Sequence, residues 1–375
     1  MFAPGAALLA EEFGITSSTL VSLTVSIYLA GFAVGPMLIA PLSELYGRLI
    51  IYHTSSVFYI GFIIGCALSR GTGMFLAFRF LAGCAASGPT AVGGGTVADV
   101  VPPAQRVNFA LSIIFLRETN AGVLLGRKAS RLRKETGNLT LASKLHRGLT
   151  PRQLFLRAIV RPTKLLTMSP IVLLLSLLNA FVFSLLFILF TTFPTVFEEQ
   201  YHFSVGTSGL SYLGVGLGMG SSLATFALLS DKLQRALGDS AKPEERLKPM
   251  MWLMPLVPVG IFWYGWAAEA RTHWIAPILG TFVFAYGVLW VLMPSQLYLV
   301  EAFGAEAAAS ALAANIILRL LFAAFIPLAG PSLYANLGLG WGNSVLGFIG
   351  VAFLPVPFFF YRYGGRLRER FAVHL

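Results

Sequence analysis

Nine stretches of about twenty mostly apolar residues divide this chain: Thr19–Pro41, Leu49–Leu68, Met74–Val100, Ser169–Pro194, Gly206–Leu229, Pro249–Ala268, Trp274–Leu299, Ala307–Ala329 and Asn343–Tyr361. Each is long enough to cross the hydrocarbon of a bilayer as a helix. In that medium an isolated segment satisfies its backbone only by being helical. The predicted fold class is therefore an all-α polytopic membrane protein of about nine full spans. Two other apolar stretches do not meet the length test. Met1–Phe13 reads as the tail of a helix whose start is missing, and Val107–Leu116 is only ten residues long. Charged residues make up 11% of the chain, against about 25% in soluble domains. No basic segment precedes the apolar residues at Met1 to Leu9, so a signal-like start is not expected.

Lys and Arg placement sets the expected orientation. Of the 27 basic residues, Arg48, Arg106, Arg117, the many in the central loop, the five from Lys232 to Lys248 and the four in the tail all fall on one side. The opposite loops hold Arg70 and Arg271, and Arg79 and Arg319 lie inside spans. The hinge Leu42–Arg48, the central loop and the C-terminus are thus expected in the cytosol. The formal net charge of +11 is no nucleic-acid signature, because it resides in loops between membrane spans. Cys66 and Cys84 lie within apolar runs and read as packing residues, with no disulfide or metal site expected.

The expected organisation is an N-terminal bundle over 1–116, a basic cytosolic loop over 117–168, a C-terminal six-helix bundle over 169–361 and a cytosolic tail over 362–375. In the loop, Arg127–Glu135 is charged and helix-like. Arg152–Leu166 interleaves Leu154, Phe155, Ile159, Leu165 and Leu166 with basic residues, the pattern of an interfacial helix on anionic lipid. A solvated linker is the alternative for both. The sequon Asn138-Leu139-Thr140 falls on the cytosolic side and is discounted.

The charged hinge Leu42-Ser43-Glu44-Leu45-Tyr46-Gly47-Arg48 joins the first two spans, with acid and base four residues apart. A weaker copy, Leu229-Ser230-Asp231-Lys232-Leu233-Gln234-Arg235, joins two later spans at the same spacing. Asp99 closes the third span on the cytosolic side and can reach the first hinge. Glu301, at the equivalent end of its own span, is expected to face Asp231 and Arg235. Charges inside spans are costly and point to function. Arg79 and Arg319 are both in that position, with snorkelling the alternative for Arg79. Phe282, Tyr286 and Trp290 share one helix face at i, i+4, i+8, which is either a cargo-lining or a packing stripe. Gly31/Gly35, Gly61/Gly65, Gly214/Gly218 and Gly216/Gly220 are pairs that let helices approach closely. No His/Asp/Ser or Cys/His arrangement suggests an enzyme.

These residues also carry a likeness. Gly35-Pro36, Ala40-Pro41 and the first hinge resemble the loop 2–3 signature of the major facilitator superfamily, in particular its fungal drug:proton antiporter branch. Arg79-Phe80-Leu81-Ala82-Gly83 resembles that branch's fourth-helix motif, Thr96–Asp99 followed by Arg106 its cytosolic continuation, and Ala313-Ala314-Asn315 with Arg319 its late helices. The resemblance implies a two-bundle helical fold with an incomplete N-terminal half. The nine spans would correspond to helices 2, 3, 4 and 7–12 of twelve, with helix 1 truncated and helix 5 and most of helix 6 missing. Leu49 stands where the family usually has a basic residue. The implied function is secondary active, proton-coupled export of drugs, toxins or secondary metabolites by alternating access. Its partners would be a small-molecule cargo, the proton gradient and the plasma membrane or, alternatively, the vacuolar membrane, and no cofactor is implied. Glu44, Gly47, Arg48, Asp99 and Arg106 would form one cytosolic gate, with Asp231, Arg235 and Glu301 forming its mirror. The other reading is a non-transporting truncated relative or an incomplete gene model.

Overall fold

A computed structural model describes residues 5–91, 121–137, 151–204, 206–237 and 242–371. All regular structure among these residues is helical. The chain resolves into two compact units, a larger one of Met1–Ser26 with Pro162–Leu375 and a smaller one of Ile27–Arg161.

The short α1 (Ala6–Glu12) and the first residues of α2 (Ser18–Tyr46), up to Ser26, belong to the larger unit, and the rest of α2 with α3 (Arg48–Ala67) and α4 (Thr72–Ala86) builds the smaller one. The outer residues of α3, such as Val57 and Phe58, are exposed apolar side chains suited to lipid. Glycine sets the α2–α4 contact. A Cβ on Gly31 would stand 2.0 Å from the Phe80 carbonyl oxygen, and one on Gly83 would stand 2.0 Å from that of Tyr28. The two backbones touch, as small-residue crossings in membranes allow. Of the other expected pairs, Gly214 and Gly218 meet the Ile278 and Phe282 carbonyls in the same way, whereas Gly61, Gly216 and Gly220 face open space. Two charged helices follow, α5 (Ala121–Thr136) and α6 (Pro151–Met168). Leu156, Ile159 and Val160 of α6 are exposed, while Leu165 joins the core of the larger unit.

That core is centred on α7 (Pro170–Tyr201). Pro170 opens α7 behind the N-cap Ser169, whose side chain accepts from the Val172 amide, and His202 ends it at φ 54°. Leu175, Leu178, Val182, Leu185 and Leu189 repeat at three- and four-residue steps and are buried. α8 (Leu213–Leu237) and α9 (Lys248–Leu253) follow α7 in the chain and pack on α11 (Ile275–Phe325), while α11, α10 (Leu256–Glu269), α12 (Gly330–Phe353) and α13 (Pro355–Arg370) pack on α7 itself. Three differences from the sequence expectation stand out. The expected span Pro249–Ala268 is divided at Met254–Pro255. The loop expected over 300–306 is helical, so two spans form the single element α11. At about 1.5 Å per residue a straight helix of 51 residues would be more than twice the bilayer thickness. Val291 and Leu299 in one half and Ala311 and Ala314 in the other join the same core, so the element bends. Finally, α12 contains a break at Gly338, whose φ of 71° and ψ of 177° suit glycine. Beyond the break the Leu339 and Gly340 amides donate to Glu269 Oε2 at 2.8 and 3.2 Å, so a carboxylate caps the new helix start.

Candidate functional site

The first hinge is made by one glycine. Gly47 takes φ 102° and ψ 161°, a conformation that L side chains rarely adopt, and this lets α2 stop and α3 start one residue later. Arg48 Nη1 then reaches back to Ser43 Oγ at 2.9 Å, and the buried Ser43 hydroxyl donates to the Ala40 carbonyl at 2.8 Å. Glu44, on the same turn, is exposed. Asp99 and Arg106 lie outside the described residues. In the same unit the Arg79 guanidinium stands 5.3 Å from the centroid of the Tyr28 ring on α2. Such a cation–π contact is worth roughly 0.5–2 kcal/mol depending on desolvation.

The larger unit builds a wider charged cluster at the end assigned to the cytosol. Its centre is the turn Pro243–Leu247. From it Arg246 Nε donates to Glu301 Oε1 at 2.8 Å while Nη2 stands 2.7 Å from the same oxygen, with the two side chains 16% and 35% exposed. Glu244, which is buried, faces Arg368 of α13 at 3.6 Å. Glu245 pairs with Lys248 and accepts from the Tyr361 hydroxyl at 3.4 Å. Gly364 permits this packing, because a Cβ there would come within 2.7 Å of the Tyr298 hydroxyl and 3.1 Å of Glu244 Cγ. Turn, α11 and α13 are thus tied together by charge. Glu301 pairs with Arg246, a base that the sequence reading did not single out. The second hinge, with Asp231 and Arg235, lies on the last turns of α8, and their side chains lie outside the described residues. The missed signal was Glu244-Glu245-Arg246, two acids and a base in a loop otherwise read only for its positive charge.

Phe282, Tyr286 and Trp290 do share one face of α11, and its contacts are those of a packing seam with α8. The Tyr286 carbonyl accepts from Ser222 at 2.8 Å, its hydroxyl bonds Thr225 at 3.0 Å, and Trp290, 1% exposed, meets Phe226 edge-on at 5.2 Å. A cavity of about 700 Å³ lies elsewhere, at the other end of the larger unit. Its walls include Thr191, Thr195, Glu199, Tyr334 and, from the N-terminal segment, Ser18 and Ser22. That volume suits a small organic molecule. Between cavity and cluster lies Arg319, its guanidinium 4.8 Å from the Phe183 centroid. One turn earlier on α11, Asn315 Nδ2 donates to Ser176 Oγ of α7 at 3.4 Å.

Residues 1–127 match the model of the Major Facilitator Superfamily. The whole chain aligns at 56% identity with an MFS transporter, eqxG, of Fusarium heterosporum, covering 82% of that protein. The chain belongs to the Major Facilitator Superfamily. It is accordingly an integral membrane protein of a transporter family. A second facilitator, the Trichosetin biosynthesis cluster MFS transporter of Gibberella fujikuroi, is 48% identical over all of this chain and 82% of its own length. The likeness in fold extends to a bacterial facilitator, the xylose transporter XylE from E. coli. It has a TM-score of 0.65 at 14% identity, over 95% of this chain and 91% of that one. The two fungal alignments run over 392 and 422 positions, against 375 residues here. Those facilitators therefore carry internal residues that have no counterpart in this chain.

Proposed function

We propose that this facilitator exports a small organic molecule, a secondary metabolite or toxin, across the plasma or vacuolar membrane by alternating access in exchange for protons. The observation that carries this reading is whole-chain similarity to a transporter named for a small-molecule biosynthesis cluster. The site geometry supports it. Charge pairs such as Arg246–Glu301 tie elements together at one end of the larger unit, and a ligand-sized cavity lies at the other. Pairs of this kind stabilise one arrangement by about 1 kcal/mol each when partly exposed, small enough to be broken in a transport cycle. On this reading Glu44, Gly47, Arg48, Asp99 and Arg106 gate one half, and Asp231, Arg235 and Glu301, joined by Arg246, gate the other. Purified chain in proteoliposomes with an imposed pH gradient is expected to move a fluorescent organic substrate, and collapse of the gradient is expected to stop it. Flux equal to that of protein-free vesicles would overturn export.

A second reading has its own observation. The internal residues that the relatives carry and this chain lacks support a non-transporting relative. Restoring that segment from the Gibberella fujikuroi protein distinguishes the two. Flux that arises only in the restored chain supports this second reading.

A further inference from the structure

We infer that the larger unit contains a binding site for an amphiphilic organic anion, its acid held by Arg319 and its apolar body following the row of aromatic side chains that starts at Phe183 on α7. This rests on the transporter reading and names the cargo class for it.

Asn179, Phe183, Phe187, Thr191 and Thr195 follow one another at four-residue steps on α7, each touching the next in a row that winds about 40° around the helix at every step. At one end of the row are unsatisfied polar groups. Asn179 is fully buried and both its Oδ1 and its Nδ2 lack hydrogen-bond partners. Across from it on α11, Asn315 is also fully buried and its Oδ1 has no partner. Arg319, one turn further, has a buried Nε with no partner. Its described contact is the Phe183 ring at 4.8 Å, and no described ion pair includes it. Buried polar groups are ordinarily paired, and unpaired ones ask for an explanation. Here donors and acceptors without partners converge from two touching helices.

Their depth excludes an easy counter-ion. Asn179 and Phe183 lie roughly 14 and 20 Å along α7 from its start, on either side of the middle of a ~30 Å hydrocarbon layer. Glu198 and Glu199 stand near the far end of α7, and Glu301 is held by Arg246. An arginine keeps its charge at any physiological pH, and its planar fork matches an oxyanion. The two asparagine oxygens would accept from a hydroxyl or amide neighbouring the acid. Beyond the fork the row turns apolar. Phe183 and Phe187 have ring centroids 5.2 Å apart, and both are partly exposed while residues 184–186 between them are buried. Further on, Thr191 and Thr195 line the 700 Å³ cavity. Head group, aromatic platform and ligand-sized space therefore follow one another along a single winding row of α7.

The test compares two probes that differ by one charge, the fluorescent anion anilinonaphthalene sulfonate and its sulfonate-free counterpart phenylnaphthylamine. Full-length protein in nanodiscs is expected to bind the anion saturably and to release it to excess decanoate. Arg319→Gln is expected to weaken the anion about tenfold or more and the neutral probe less than twofold. Asn179→Ala should weaken the anion by about threefold with the neutral probe unchanged. Arg319→Lys, which keeps the charge and loses the fork, should fall between and decides the matter if Arg319→Gln does not fold. Wild-type protein that does not bind the anion saturably overturns the site. So does anion affinity unchanged in the folded Arg319 variants, or equal loss of both probes. The gradient-driven flux assay is read separately. Arg319-dependent binding without flux would leave the site standing and the export reading fallen, and flux with Arg319-independent binding would do the reverse.

Discussion

The two charged regions of this facilitator are built in opposite ways. In the smaller unit the hinge is local. Ser43, Glu44, Gly47 and Arg48 lie within six residues, one glycine at φ 102° makes the bend, and the arginine bonds a serine five positions back. In the larger unit the cluster is assembled from afar. Arg246 meets Glu301, 55 residues on, and Glu244 meets Arg368 on the last helix. The first is a backbone device decorated with charge, and the second is a side-chain network laid over helix ends. Substitutions in the two regions should therefore fail differently.

The largest effect is expected from Gly47→Val. A β-branched residue at that φ carries strain on the order of 1–3 kcal/mol. The apparent midpoint of thermal unfolding in detergent should drop clearly, and efflux should fall with it. An unchanged midpoint would break the claim that the hinge is a backbone device. Next comes the long-range pair. Glu301→Gln and Arg246→Gln should each cost about 1 kcal/mol of stability given their partial exposure, read as a modest drop in the midpoint. The double variant should cost little more than either single, because the two groups act on each other. Strict additivity in that cycle would mean the pair is geometric only. The smallest effect is expected from Ser43→Ala. It removes the Arg48–Ser43 bond while leaving Gly47 in place, for less than about 1 kcal/mol, with efflux changing more than stability if Arg48 belongs to a gate.

What the sequence made legible follows the same division. Spans and the first hinge are written in short-range spacing, as are the glycine pairs Gly31/Gly35 and Gly214/Gly218. Periodicity names a face but not its neighbour. It placed Phe282, Tyr286 and Trp290 together without revealing that α8 lies against them. It likewise could not separate Gly218, pressed on Phe282, from Gly216, which faces open space two residues earlier. The partner of Glu301 was hidden for a similar reason. Charge counting assigns a loop to a side of the membrane and is blind to which acid within it finds which base. The Ser176–Asn315 contact was half visible, since Asn315 lies in a stretch that resembles a family motif, whereas the buried Asn179 looks in sequence like one polar residue in a phenylalanine-rich span.

The helical bend inside α11 has a mechanical meaning. A slack connection between two spans absorbs movement, because its backbone can take up many shapes at little cost. A connection that keeps its helical hydrogen bonds through 300–306 is stiff. Through a stiff connection, any tilt of the arm carrying Tyr286 and Trp290 would pass as angle to the arm carrying Asn315 and Arg319, in the manner of a crank. The Arg246–Glu301 pair ties that stiff connection to the turn Pro243–Leu247.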